Sequence, residues 1–236
     1  MVTMLLTPED HARVAQAVTA AETTTRAEIR CVVMDEASTY PEVPFAWAAI
    51  AALVVPIGLQ LLGLGTGQWP WLFGGWTAQH LAAGHVAVAN ALSAYALLQG
   101  VLFVAVALVV SIPAVRRTVT PGWLKHARAH QRALDQFNAT ALHRAGRRNL
   151  VLIFASLQDR VAVVLADEGV GTGAPNTVWD GAVSALVAGM RAGKPADGFV
   201  AAIDDCARIL TSVLPAGAHR RNEHPDSISE VGGQDR

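Results

Sequence analysis

Residues 149–170, NLVLIFASLQDRVAVVLADEGV, decide the fold. Asn149 to Leu157 is an apolar run of strand length. Gln158-Asp159-Arg160 turns the chain, and Val161 to Ala166 is a second apolar run that ends at Asp167-Glu168-Gly169. Two such runs joined by a short polar turn read as a hairpin of two strands.

Outward from the hairpin, helical spacing takes over. On its C-terminal side, Pro175 begins a helix running to about Met190, with Val178, Trp179, Ala182, Val183 and Leu186 on the inner face, and Gly193 stops it. Asp197 to Leu214 is the last helix, with Phe199, Val200, Ile203, Cys206, Ile209, Leu210 and Val213 at helical spacing. Residues 216–236 are polar and read as a disordered tail. On the N-terminal side, Trp123 to Ala145 reads as a basic helix. Its loose apolar face is Leu124, Ala127, His130, Ala133 or Leu134, Phe137, Ala141 and Leu142, with Gly146 as C-cap.

The chain opens in the same style. Thr7 is an N-cap candidate, Pro8 takes the first helical position, and Glu9 and Asp10 suit the positive end of the helix dipole. Val14, Ala15, Ala17, Val18 and Ala21 keep helical spacing until Thr23-Thr24-Thr25. Glu28 to Met34 then reads as a strand ending at Asp35-Glu36. A piece of about 40 residues does not bury enough surface to fold alone.

What separates the two pieces is uncharged. No Asp, Glu, Lys or Arg stands between Glu42 and Arg116, a gap of 73 residues, whereas the other 163 residues hold all 37 charges. The chain is 52% hydrophobic and 16% charged, with mean hydropathy +0.34. Two membrane spans are predicted, residues 45–64 and 94–113, joined by an aromatic-rich loop, 65–93, in which Trp69, Trp71, Phe73 and Trp76 suit a membrane interface. Twenty helical residues reach about 30 Å, the thickness of the hydrocarbon core. Pro56 inside the first span is tolerable there if a neighbouring helix satisfies the carbonyl it frees. His80 and His85 in the loop read as surface residues. The opening MVTMLLTPED lacks the charged and apolar regions of a signal peptide.

The loop between the spans has no Lys or Arg, while Arg116, Arg117, Lys125, Arg128 and Arg132 follow the second span. The positive-inside rule then places the loop outside, and both termini and the α/β domain in the cytoplasm. An even number of spans lets the two pieces, 1–44 and 114–215, meet on one side. The fold class expected is α/β, a three- to four-stranded sheet flanked by helices and interrupted by a transmembrane α-helical hairpin. A net charge of −1 excludes a nucleic-acid binder driven by bulk charge and an acidic disordered chain. Cys31 and Cys206 offer neither a disulfide framework nor metal spacing and read as small buried hydrophobes.

The run Leu150 to Val170 resembles the core hairpin of TPM domains, the family named for a thylakoid lumen protein, a photosystem II repair protein and a nematode receptor modulator. Leu6-Thr7-Pro8-Glu9 leading to Glu28-Ile29-Arg30-Cys31-Val32-Val33 is similar to the family's opening helix and first strand. The later pattern Val178-Trp179, Gly193, Asp197-Gly198-Phe199 and Ala202-Ile203 is similar too. The resemblance covers about 130 residues, all outside the uncharged block, and is nearest to bacterial members split by a membrane hairpin. It implies an α/β/α sandwich, bound calcium in some members, acid-phosphatase activity in some plant members, and roles in membrane-protein maintenance or receptor trafficking in others. Many members carry their domain outside the cytoplasm.

If the strands at 28–34 and 149–157 are parallel, their C-terminal ends share one edge that carries Asp35, Glu36 and Asp159. These three are the candidate metal ligands, for calcium or magnesium. Asp167 and Glu168 fall at the opposite edge near Glu28. No nucleophile constellation stands out. Histidines 11, 126, 130 and 143 are expected on solvent-facing helix surfaces, and His126 and His130 lack a third ligand. Gly169 to Gly173 lacks the pattern of a phosphate loop. The function expected is a non-catalytic interaction or maintenance factor whose partners are the lipid bilayer and other membrane proteins, with no nucleic acid. A metal-dependent phosphatase using Asp35, Glu36 and Asp159 is the alternative.

Overall fold

The computed structural model describes residues 5–62, 84–142, 149–171, 176–216 and 228–231. The chain divides into two compact units, Met1–Thr39 with Pro121–Arg236, and Tyr40–Thr120.

The first unit is an α/β domain. Helix α1 (Pro8–Thr24) starts where the sequence indicates: Thr7 accepts from the Asp10 N–H, the Asp10 carboxylate accepts from the Thr7 N–H, and Pro8 opens the first turn. Strand β1 (Glu28–Met34) follows. After the second unit come helix α5 (Gly122–Leu142), strands β2 (Leu150–Ser156) and β3 (Val161–Ala166), and a short turn of helix, α6 (Glu168–Gly171). A 3-10 turn at Asn176–Trp179 leads into α7 (Asp180–Arg191), then α8 (Pro195–Val213) and finally β4 (Ser229–Val231).

The sheet order is β3-β2-β1-β4. β1 runs parallel to β2, with Glu28 opposite Leu150 and Met34 opposite Ser156, and β2 and β3 form the antiparallel hairpin. Every residue of β2 is buried, as a central strand covered on both faces requires. One face packs Ile29, Cys31, Val33, Val151 and Ile153 against Val14 and Val18 of α1, Leu186 of α7, and Phe199, Ile203 and Leu210 of α8. The other packs Val32, Met34, Leu152 and Phe154 against Ala129 and Ala133 of α5.

Two details of the packing explain the glycines. A Cβ built on Gly189 of α7 would lie 2.5 Å from the Gly198 Cα, so α7 and α8 cross at a point where only hydrogen fits. Gly193 has φ +72°, its N–H donates to the Met190 carbonyl, and the Lys194 N–H donates to the Gly189 carbonyl. These are the two bonds of a Schellman motif, which ends α7 as the sequence indicated.

Three expectations change. The tail reading for 216–236 omits β4, which pairs parallel to β1 with Val33 opposite Glu230. A three-residue strand is too short to show alternation, and its pairing is set by an open sheet edge far away in sequence. The buried face of α5 is Ala129, Ala133 and Thr140, while Ala127 and His130 are exposed. Ala133 is buried and Phe137 packs against the same cluster as read, and the small residues Ala129 and Ala133 let the helix lie close to the sheet. A 3-10 turn at Asn176–Trp179 precedes α7, which starts at Asp180, while Pro175, the expected start, lies outside the described residues. Gly146 and His143 lie outside the described residues.

The second unit holds α2 (Glu42–Leu61), α3 (Gly84–Ser111) and α4 (Pro113–Val119). α3 and α4 meet at a bend of 97° where Ile112 precedes Pro113. A residue before proline is pushed out of helical geometry, and Ile112 is extended with ψ 124°. Among the described residues, one helix is long and apolar enough to cross a membrane, with the window Glu42–Leu59 at mean hydropathy 1.8. There are two if the bent pair Tyr95–Ser111 and Pro113–Val119 is one span. The loop expected over 65–93 is helical from Gly84 onward, and residues 63–83, with His80 and the tryptophan cluster, lie outside the described residues.

Pro56 has no N–H for the carbonyl of Ala52, four residues earlier in α2. The Gln99 side-chain amide of α3 donates to that carbonyl at 3.3 Å. The Trp47 indole N–H of α2 donates to the Val119 carbonyl at the end of α4, at 3.1 Å.

Candidate functional site

The parallel register of β1 and β2 carries their C-terminal ends to one edge of the sheet. The pairing continues past both strands: the Leu157 N–H donates to the Met34 carbonyl at 3.0 Å and the Gln158 N–H to the Asp35 carbonyl at 2.8 Å. Asp35 and Glu36 therefore leave β1 beside the turn that holds Asp159, as the sequence argument required.

That turn is tight. The Arg160 N–H donates to the Leu157 carbonyl, and Arg160 adopts φ +54°. Asp159 is turned inward and is 8% exposed. Its Oδ2 accepts from Ser156 Oγ at 2.9 Å and from the Ala37 N–H at 3.0 Å. The Ala37 carbonyl in turn accepts from Arg132 Nε of α5 at 3.2 Å. A carboxylate and a guanidinium thus grip one residue, Ala37, on its two sides in the segment that leaves β1, each satisfying a main-chain group that burial would otherwise leave costly.

Asp35 and Glu36 are half-buried beside this clamp. Among the described residues, no group of three His, Cys, Asp or Glu side chains is placed to hold a metal ion. His126 and His130 are both exposed on α5. At the other edge, the Asp167 N–H donates to the Leu150 carbonyl, and Asp167 Oδ1 accepts from the Glu168 N–H at 2.7 Å, a local turn.

Two carboxylate roles, one buried and one half-buried, escape sequence reading. Glu22 Oε1, on the last turn of α1, accepts the Ile29 N–H at 3.0 Å and so locks α1 to β1. Glu230 of β4 accepts from His11 Nε2 at 2.8 Å, which corrects the solvent-facing reading of His11. Thr7 followed by Pro8 and two acids marked the helix start, but no local pattern marks a carboxylate whose partners are distant backbone amides.

The cysteines behave as core residues. Cys31 and Cys206 are free and buried in the same cluster. Burial pushes the Cys31 thiol far above the usual range and the Cys206 thiol up to about 12, so neither supplies a thiolate nucleophile.

No family model matches the chain, and no curated protein matches it. Among solved structures, the chain is similar to the NMR structure of the BA42 protein from the psychrophilic bacterium Bizionia argentinensis. The TM-score is 0.53 at 16% identity, over 98% of this chain and 99% of that one. At that identity the likeness bears on fold alone, and it supports a mixed α/β architecture of helices around a four-stranded sheet.

Proposed function

We propose that the chain is an integral membrane protein with a TPM-like α/β domain. In this reading α2 and α3 form a two-span hairpin, and the domain serves as a non-catalytic interaction or maintenance factor for other membrane proteins. The observation that carries the reading is the Gln99–Ala52 hydrogen bond between two predominantly apolar helices. In hydrocarbon every main-chain polar group needs an internal partner, and here the one carbonyl freed by Pro56 has it.

The surface of the pair fits the same setting. Phe45, Ile50, Leu53, Val54 and Ile57 of α2, and Leu97, Val101, Val104 and Leu108 of α3, are all exposed. Only 28% of the most apolar window of α2 is buried, unlike the core helix of a globular domain. Arg116 and Arg117 lie on α4, just past the 97° bend, and Trp123 is 72% exposed at the start of α5. Cations and tryptophan at that position suit an anionic headgroup layer. The positive flank supports a cytoplasmic α/β domain. The hydrogen bonds of Asp159 to Ser156 and Ala37 support a structural use of that carboxylate within the non-catalytic reading.

Alkaline carbonate extraction of membranes from expressing cells tests the membrane reading. The full chain is expected to stay with the pellet and to be released by detergent; release by carbonate alone would contradict it. The purified protein is expected to show no calcium- or magnesium-dependent hydrolysis of a phosphomonoester. Hydrolysis abolished by Asp159→Asn in a folded protein would replace the proposal with the phosphatase.

A further inference from the structure

The outer edge of β1 is occupied in an unusual way. Glu22 closes its start by taking the Ile29 N–H. Beyond that point the edge is paired only with β4, through Val32, Val33 and Met34. The occupant is a short extended segment with three distinct handles. Ile228 is 4% exposed and buried in the larger core cluster. Val231 points to the other face and packs against the smaller cluster. Between them the Glu230 carboxylate sits over the entrance to α1, accepting from the Leu5 N–H at 3.1 Å, the Leu6 N–H at 3.0 Å and the His11 ring at 2.8 Å. Successive main-chain N–H groups plus a ring donor form a small anion-binding concavity, placed to read one carboxylate.

These are the elements of peptide recognition by strand addition: main-chain pairing along a sheet edge, with side-chain pockets that impose a sequence. We infer that the outer edge of β1 is a strand-acceptor site for an extended partner segment of the pattern apolar–x–Glu–apolar, held in this chain by its own residues Ile228-Ser229-Glu230-Val231. The seated segment shows what the site reads. All three residues of β4 are half-exposed, and the segment is held by its pairing to Val32–Met34 and by the three side chains Ile228, Glu230 and Val231. A tethered occupant of this kind acts at an effective concentration on the order of millimolar, which screens the site from weak partners and yields to a segment with further contacts.

The test uses the full chain in a mild detergent and a fluorescent peptide of residues 226–233, DSISEVGG, with binding read by polarisation. Glu230→Ala in the chain is expected to raise peptide affinity roughly tenfold or more over the unmodified chain, the size of one charge-assisted hydrogen-bond set. The same peptide with Ala in place of Glu230 is expected to lose that gain. Equal binding to both chains, or binding indifferent to the peptide's glutamate, would overturn the inference. Should Glu230→Ala fail to fold, amide exchange at Ser229–Val231 of the unmodified chain replaces it. Saturating peptide is expected to speed that exchange, and no change would overturn the inference. Concentration-dependent dimerisation lost in Glu230→Ala would assign the edge to a second copy and overturn the partner assignment.

Discussion

The Gln99 side-chain amide donates to the carbonyl of Ala52, the carbonyl that Pro56 strips of its helical partner. Removing the donor should therefore matter only while the proline is present. Gln99→Leu is expected to destabilise the helix pair by about 1 kcal/mol, the scale of single interhelical hydrogen bonds in membrane proteins. Pro56→Ala restores the intrahelical bond, so Gln99→Leu in that background is expected to be nearly neutral. A double-mutant cycle of unfolding in detergent checks this, and additive effects would mean the bond carries nothing.

The clamp on Ala37 makes Asp159 a structural residue. Asp159→Ala leaves the Ala37 N–H and Ser156 hydroxyl without their acceptor and is expected to cost roughly 1–3 kcal/mol. Calcium or magnesium is expected to leave the melting temperature of the unmodified protein unchanged. A rise with calcium that Asp159→Ala abolishes would restore the metal reading of Asp35, Glu36 and Asp159.

The α7–α8 crossing tolerates nothing larger than hydrogen at Gly189. Gly189→Ala sets a methyl against the Gly198 backbone and is expected to cost about 1–3 kcal/mol, since two main chains, not a flexible side chain, must move apart. Thermal unfolding measures this directly, and a neutral result would show that the helices sit further apart.

Attachment of β4 should depend on acid. Partial burial raises the Glu230 carboxyl, but the His11 ring and the Leu5 and Leu6 amides outweigh it and hold the group below its ordinary 4.5. A carboxyl depressed in the folded state contributes its stability fully above its unfolded value and loses it as pH falls through the folded one. Amide exchange at Ser229–Val231 is therefore expected to accelerate below pH 4.5 and to lose this dependence in Glu230→Gln. Exchange that is flat with pH in the unmodified chain would contradict the clasp.

How far the sequence carries depends on the range of the interaction. The bounds of β1 and β3, the cap at Thr7 and the stop at Gly193 all come out as read, because each is set by neighbours within a turn or a strand. The edge joining Asp35 to the Asp159 turn was legible only on the condition that β1 and β2 pair parallel, which they do. The role of Asp159 was not. Its partner Ala37 lies 122 residues away and is a backbone amide that any residue type presents. β4 was missed and the face of α5 was read only in part: β4 is three residues recruited by a distant edge, while on α5 Ala133 and Phe137 face the cluster as read but Ala129 replaces Ala127 and His130, because alanines carry little periodic signal.

Crossing the membrane twice, with both pieces of the α/β domain on the cytoplasmic side, is the central claim. The measurement that tests it is a pair of reporter fusions in bacterial cells, with alkaline phosphatase or a green fluorescent protein joined after Thr77 or after Arg236. The expected result is phosphatase activity only after Thr77 and fluorescence only after Arg236. Phosphatase activity after Arg236 would place the domain outside, and the same behaviour at both points would mean that α3 does not cross the membrane.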